Sequence, residues 1–445
     1  MDIASLIPQF GGILWTVAAF VVALSVIVFV HEYGHYIIGR LSGIRAEVFS
    51  IGFGPVLLKR RDRHGTQWQV AALPFGGYVK FLGDASAASD KASEEFEAFD
   101  EETKRHTMHG APLWARAATV AAGPVFNFIL SILVFAAVIL AQGTAKDPVE
   151  IAVLRDMPEA DLVLAPGDRI LAVNGAATPD YVGFFDVVRD LDVGESVRYD
   201  LERGGLAVSV EGPFPFPPLV EGLQAGSAAM EAGLKVGDLI TAIDGVPITA
   251  FSELQDTVSN SDGRALALDV WRDGATFQVT LSPKRMDIPL GDGGFETRWL
   301  IGVTGGLLFT PATETPGLFE AIGYGAEQTW FIVQSSLSGL WHMVTGAISS
   351  CNLRGPIGIA ETSGAAASQG AGSFIWFIAV LSTAVGLLNL FPIPVLDGGH
   401  LAFHAWEAMT GRPPSDRALR VLMGVGLTLM LTLMAFALTN DLFCP

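Results

Sequence analysis

The strongest chemical signal in the sequence is three ionisable side chains at helical spacing, His31-Glu32-Tyr33-Gly34-His35. Positions i and i+4 of a helix share a face, so both imidazoles can hold one zinc ion with Glu32 beside the remaining coordination position. A hydrolytic zinc centre uses three protein ligands and keeps one position open, so a third ligand must come from another part of the chain. Asp397, in Leu396-Asp397-Gly398-Gly399-His400, is the first charge after a long uncharged run. His400 and His404 lie just beyond it, again at i and i+4, and are rival ligands. The bland alternative for HEYGH is an interfacial helix cap with solvated histidines. It leaves three costly ionisable residues at the end of an apolar helix without a use.

The elements that must position these residues are hydrophobic. Residues 12–30, 117–142, 371–396 and 421–439 contain no Asp, Glu, Lys or Arg, and a helix crosses a bilayer in about 20 residues. The first run has no basic flank before it and HEYGH, not a small-residue cleavage site, after it, so it reads as a retained span. Of 445 residues, 50% are hydrophobic and only 16% charged, which excludes an ordinary soluble enzyme. With 46 acidic against 27 basic side chains, the balance also argues against nucleic acid as a partner. Cys351 and Cys444 are too few for a disulfide framework or a Cys-rich zinc ribbon. A bridge between them is open, because spacing alone does not show that their Cα atoms approach.

Lysine and arginine set orientation. The segment from Arg40 to Arg116 holds 11 of the 27 basic residues, which puts it in the cytoplasm, and Arg412, Arg417 and Arg420 do the same for the last loop. Both termini and the long middle segment are then outside. That segment, 147–314, carries 27 acidic and 11 basic residues, so −16 of the net −19 belongs to it. Parity tests the metal site: residues 328–353 are also free of charged Asp, Glu, Lys and Arg side chains, but if they crossed, Asp397 would emerge about 30 Å of hydrocarbon away from His31 and His35. Residues 317–350 therefore read as amphipathic helices on the outer surface.

The middle segment repeats itself at a spacing of about 70 residues. Pro166-Gly167-Asp168-Arg169-Ile170-Leu171-Ala172-Val173-Asn174-Gly175 matches Val236-Gly237-Asp238-Leu239-Ile240-Thr241-Ala242-Ile243-Asp244-Gly245, and Arg203-Gly204-Gly205 aligns with Arg272-Asp273-Gly274. The pattern reads as a turn, a strand and a tight Asn-Gly or Asp-Gly turn, and resembles tandem PDZ domains. The second copy is the closer match through Ala225-Gly226-Ser227-Ala228-Ala229-Met230-Glu231-Ala232-Gly233-Leu234; Met157 to Pro166 of the first departs from that stretch.

HEYGH in one span and Asn389-Leu390-Phe391-Pro392-Ile393-Pro394-Val395-Leu396-Asp397-Gly398-Gly399-His400 in another resemble the site-2 protease family of intramembrane zinc metalloproteases. Ala121-Ala122-Gly123-Pro124-Val125-Phe126-Asn127-Phe128, Gly355-Pro356-Ile357-Gly358, Phe49 to Pro55 and Gly76 to Lys80 match the same family, so the resemblance covers nearly the whole chain. It implies that His31, His35 and Asp397 bind Zn2+ and that Glu32 is the catalytic base. It further implies that a β-hairpin edge around Gly52, Phe53 and Gly54, with Asn389, holds an extended substrate.

The expected fold is a polytopic α-helical membrane protein with four transmembrane helices, a membrane-associated β-hairpin and two periplasmic PDZ (α+β) domains. Its segments are a first transmembrane helix with HExxH over 1–36, a cytoplasmic and membrane-reentrant β region with a polar loop over 37–112, a second helix over 113–142 and PDZ domains over 147–216 and 217–287. A linker with amphipathic surface helices follows over 288–365, then a third helix with the LDG motif over 366–400 and a fourth over 417–440. Ser86 to His109 reads as a mobile or helical insert, with His64, His106 and His109 solvated. The expected activity is cleavage of a transmembrane segment of single-span proteins in a bacterial inner membrane, with anti-sigma factors or remnant signal peptides as substrates, the bilayer as partner and a periplasmic peptide or protein on the second PDZ domain. Two other classes compete: a zinc transporter, whose ligands would lie along a midplane pathway, and a non-catalytic membrane-tethered PDZ scaffold, which would tolerate loss of Glu32.

Overall fold

The computed structural model describes residues 7–84, 96, 98–158, 163–194, 196–224, 226–290 and 294–444. Residues 86–95 and 97 of the expected insert, 159–162 and 195 of the first repeat and Ala225 of the second lie outside them. The chain divides into two compact units, one of Met1–Val138, Phe319–Trp341 and Ser350–Cys444, the other of Ile139–Leu318 and His342–Ser349.

The first unit opens with α1 (Ile7–Leu41). Its long uncharged run is apolar on every face, as a helix with no aqueous side must be. The helix passes the expected end at 36 because buried Tyr36 packs with Phe49, Val79 and Phe81 of the hairpin that follows. It stops where Gly43 turns left-handed and the Ile44 amide donates to the Gly39 carbonyl at 2.8 Å. HEYGH therefore sits inside a helix, with its last residue more than a turn from the end.

The hairpin consists of β1 (Ala46–Arg61) and β2 (Gln67–Phe81). Leu58–Arg61 pairs with Gln67–Val70, while Val48–Ile51 pairs with Gly77–Lys80 and also lies beside Gln67–Val70. Gly52 and Gly54 make the bend, both left-handed, and a Cβ on Gly52 would meet the Leu73 carbonyl oxygen at 2.8 Å. Ile51–Gly54, expected as an open edge, is thus a paired and bulged stretch. Among the described residues, Gly77–Val79 of β2 has strand partners on one side only. A short α2 (Glu101–Lys104) leads to α3 (Leu113–Gln142).

The second unit contains the repeat. Its first copy runs through β3 (Thr144–Ala145), β4 (Ile151–Leu154), β5 (Arg169–Val173), β6 (Ala176–Ala177), α4 (Tyr181–Arg189), β7 (Val197–Arg203) and β8 (Leu206–Gly212). The second runs through β9 (Val220–Leu223), α5 (Ala228–Glu231), β10 (Leu239–Ile243), β11 (Val246–Pro247), α6 (Phe251–Ser259), β12 (Leu266–Arg272) and β13 (Ala275–Leu281). The sheets have the same order, β6-β5-β7-β8 and β11-β10-β12-β13.

The matching letters have matching work. Asp168 and Asp238 are fully buried. Each accepts from a backbone amide three residues earlier, Ala165 or Lys235, and from a guanidinium, Arg203 or Arg272. That guanidinium also donates to the carbonyl of Val163 or Gly233, closing the loop before the strand. Asn174 and Asp244 adopt left-handed conformations ahead of Gly175 and Gly245, turning β5 into β6 and β10 into β11.

Next come β14 (Lys284–Pro289), β15 (Phe295–Leu300), β16 (Val303–Gly305), β17 (Phe309–Pro311) and β18 (Thr313–Glu314). The expected linker from 288 is therefore partly sheet. β16 pairs with β9, β17 with β4 and β18 with β3, and Ile301 and Leu307–Phe309 enter the two repeat cores. Three-residue strands broken by Gly302, Gly305 and Gly306 are too short to show period-two alternation.

The first unit resumes within α7 (Leu318–Val344) and continues with α8 (Pro356–Ser368), α9 (Ala371–Asn389), α10 (Asp397–Thr410) and α11 (Asp416–Phe443). Ala321, Gly325 and Thr329 form the buried stripe of α7, so the expected surface helices are one long helix there. Among the described residues, four helices are long and apolar enough to cross a membrane: Gly12–Leu41, Leu113–Gln142, Ala371–Asn389 and Arg417–Phe443. This is the number expected, and α7 is not among them. The expected third helix to 400 ends instead at Asn389, because Pro392 and Pro394 have no amide hydrogen to continue it. Cys351 and Cys444 are joined by a disulfide. Beside it, Asn440 donates to the Ser350 carbonyl, and the Asp441 carboxylate accepts from the amides of Gly355 and Ile357 at the start of α8.

Candidate active site

Helix packing brings α1, α3 and α9 together. Ala23 and Ile27 of α1 pack on Ile378 of α9. Two hydroxyls tie α3 to α9: Ser382 Oγ donates to the Asn127 carbonyl and Ser131 Oγ to the Ala379 carbonyl. After α9 the chain turns through Ile393–Leu396, closed by the Leu396 amide on the Ile393 carbonyl at 2.9 Å. Val395 occupies the left-handed position of that turn at φ +92°. A β-branched residue there costs about 1–3 kcal/mol, and such strain collects at functional sites. Gly398 lets the first turn of α10 sit on this corner, since a Cβ there would meet the Leu390 and Phe391 carbonyl oxygens at 2.3 Å. The result fixes Asp397 at the first position of α10.

Asp397 faces the two histidines. Its Oδ2 lies 3.1 Å from His31 Nε2 and 3.5 Å from His35 Nε2, and the two Nε2 atoms are 3.2 Å apart. A tetrahedral ion with bonds of about 2.0–2.1 Å needs ligand atoms about 3.3–3.4 Å from one another. Asp397 Oδ2 is also buried without a hydrogen-bonding partner among the described residues. Two imidazole nitrogens and an orphaned carboxylate oxygen at these distances fit zinc. Gly123 of α3 makes the room: a Cβ on it would stand 2.3 Å from His35 Nε2 and 2.8 Å from His31 Cε1.

Around the triangle is a cavity of about 470 Å³, lined among others by Glu32, Gly77, Tyr78, Val79 and Asn389. β2 stands beside Glu32, whose Cγ would be 3.1 Å from a Cβ on Gly77. Of the residues expected to hold substrate, Asn389 lines this cavity; Gly52, Phe53 and Gly54 do not. The rivals His400 and His404 line it as well, yet the only three-residue metal-holding group among the described residues is His31, His35 and Asp397. Burial, with Arg116 and His400 adding to it, holds the His404 imidazole down to about 4, so it is neutral at pH 7.

Several contributors carried no legible signal. His109, expected to be solvated, lines the cavity with Nε2 3.4 Å from Asp84 Oδ1. Arg116 makes a two-pronged bond to Glu407 at 2.7 and 3.0 Å, tying α3 to α10. The Thr119 carbonyl lies 2.8 Å from His35 Nδ1. Gly123 and Asn127 stood inside a matched motif, which flagged the segment and suggested interhelical hydrogen bonding for Asn127 without tying either residue to the histidines.

A family model for Peptidase family M50 matches residues 19–433. The regulator of sigma-E protease RseP of Salmonella typhimurium is 34% identical over 97% of this chain and 99% of its own length. The Escherichia coli (strain K12) protein of the same name is 34% identical over 96% and 98%. A Rhizobium meliloti (strain 1021) protein, named as a predicted zinc metalloprotease, is 36% identical over 96% of each. With a family match across nearly its whole length and a metal-sized triangle of His31, His35 and Asp397 beside Glu32, the chain belongs to peptidase family M50, the site-2 proteases, and is a multi-pass intramembrane zinc metalloprotease.

Proposed function

We propose that His31, His35 and Asp397 hold the zinc ion, that Glu32 is the general base, and that the reaction is hydrolysis of a peptide bond in the transmembrane segment of a single-span protein. The observation that carries the assignment is the meeting of three ligand atoms from two separate helices within 3.5 Å, beside a carboxylate in one cavity. Bound there, zinc would supply Lewis-acid polarisation of the scissile carbonyl and lower the pKa of water. His35 is held as the Nδ1–H tautomer by the Thr119 carbonyl, which leaves its Nε2 lone pair for the metal. Glu32 takes the proton from the attacking water and passes it to the leaving amine.

A helical substrate hides its carbonyls in its own hydrogen bonds and must unwind before attack. The Gly77–Val79 stretch of β2, with strand partners on one side among the described residues, lines the cavity and can pair with the unwound segment, with Asn389 as a side-chain contact. This replaces Gly52–Gly54 as the pairing edge and leaves those residues the task of shaping the hairpin. Lys/Arg placement supports a cytoplasmic hairpin and external repeats, and the Cys351–Cys444 bond suits an oxidising periplasm. The repeats are PDZ domains that take a periplasmic peptide or protein at the second copy. The substrate class that the family resemblance implies is an anti-sigma factor or a remnant signal peptide in a bacterial inner membrane, and the relatives named for sigma-E regulation support the first.

The test is cleavage of a model type II single-span substrate by the purified protein and by Glu32→Gln. Cleavage by the wild type and none by a variant that still binds zinc is expected. Equal cleavage by both, or none by either with zinc bound, would sink the assignment.

A further inference from the structure

Each zinc-binding histidine has a second ring nitrogen, and the group opposite decides which nitrogen keeps its lone pair. At His35 the matter is closed by geometry: Nδ1 faces the Thr119 carbonyl, an obligate acceptor, so the proton sits on Nδ1. At His31, no carbonyl among the described residues takes that place. Its Nδ1 faces the side-chain amide of Asn127, 3.1 Å away on the same helix as Thr119. Asn127 is fully buried, and its Oδ1 has no hydrogen-bonding partner among the described residues.

The amide as placed points Nδ2 at His31 Nδ1. An amide NH2 donates only, so this orientation demands a bare Nδ1 and puts the proton on Nε2. Nε2 is the atom that faces His35 Nε2 and Asp397 Oδ2. A proton there would block the metal. Turning the amide end for end, a change that barely alters its shape, brings Oδ1 to Nδ1–H and frees Nε2. Either orientation leaves a carboxamide atom without a partner, so the tautomer that the metal requires decides between them.

We propose that Asn127 is the positioning residue of the zinc site, accepting a hydrogen bond from His31 Nδ1–H through its side-chain oxygen and so presenting the Nε2 lone pair to the metal. The inference rests on His31 being a zinc ligand. It gives α3 one role toward both ligands, with a backbone carbonyl for His35 and, two turns on, a side chain for His31. The backbone carbonyl of Asn127 separately receives Ser131 and Ser382, so changing the side chain leaves those interhelical bonds in place.

The test is zinc affinity, by chelator competition, of the full-length protein in detergent, for the wild type, His31→Ala, Asn127→Leu and Asn127→Asp. Melting in the presence of a chelator confirms that each variant is folded. Asn127→Leu should bind zinc about 10–100-fold more weakly. Asn127→Asp, which accepts but cannot donate, should stay within about threefold of wild type or bind more tightly. An acceptor-only side chain that rescues affinity is a result a merely space-filling role does not produce. If Asp is as poor as Leu, or if Leu binds as wild type while His31→Ala does not, the role of Asn127 is overturned and the zinc ligands stand. If His31→Ala itself keeps wild-type affinity, the ligand assignment falls and the inference with it.

Discussion

Adding one methyl group at Gly123 tests the site without touching a ligand. The Cβ of Gly123→Ala would stand 2.3 Å from His35 Nε2, 2.5 Å from His35 Cε1 and 2.8 Å from His31 Cε1. Non-bonded heavy atoms rest at about 3.5 Å or more, so the His35 ring must withdraw by about 1 Å or α3 must shift by as much. Zinc ligand distances tolerate about 0.2 Å. A displacement of about 1 Å at a reacting centre costs roughly 100-fold in rate. The helix itself does not suffer, since alanine is favoured over glycine in a helix interior by about 1 kcal/mol. The expected outcome is a folded protein with reduced zinc content and cleavage of a model substrate down by roughly 100-fold or more. Gly424→Ala, on α11 with nothing within 4 Å of its added Cβ, is the matched control and should behave as wild type. Metal content and cleavage are read on the same detergent-purified sample. Wild-type zinc content with more than half the activity in Gly123→Ala would refute the claim that this glycine makes room for the ligands.

Arg116→Met strands Glu407 in a mostly buried setting, with about 17% and 18% of the two side chains exposed. Loss of about 3 kcal/mol is expected in thermal or denaturant unfolding, partly recovered by Arg116→Met with Glu407→Leu; a single variant as stable as wild type refutes it. In the first repeat, burial pushes the Asp168 carboxyl up, but the bonds from Arg203 and the Ala165 amide outweigh it and hold it below the usual carboxylate range. A depressed carboxyl stabilises above its unfolded value of about 3.9 and loses that effect as pH falls through the folded value. Arg203→Met should therefore speed amide exchange across 165–203 at pH 7, with the difference from wild type shrinking below about pH 4; a pH-independent difference would count against the ion pair. Cys351→Ser should remove a mobility shift between reducing and non-reducing gels and lower unfolding stability by about 2–4 kcal/mol. No change in either, in protein purified without reductant, means that the bridge is not formed.

The sequence by itself determined what depends on local patterning and chemistry. Four uncharged runs fixed the number of apolar helices, because crossing a bilayer is a matter of length and composition. HEYGH placed two imidazoles on one helical face, and the parity of the spans required Asp397 to meet them at one depth. The repeat was legible because its letters do structural work: Asp168 and Asp238 close a loop against an arginine. What only the tertiary structure decided are contacts between segments far apart in the chain. The Asn127 amide and the Thr119 carbonyl lie about ninety residues from the histidines they face. Gly123 is small for the sake of side chains on another helix. That Gly77, Tyr78 and Val79, and not Gly52–Gly54, line the cavity beside Glu32 was set by the register of a bulged hairpin, which follows from its pairing and not from its glycines alone. Helical periodicity tells which residues share a face, but the partner of that face, here α3 against the two histidines of α1, is set by how distant helices pack.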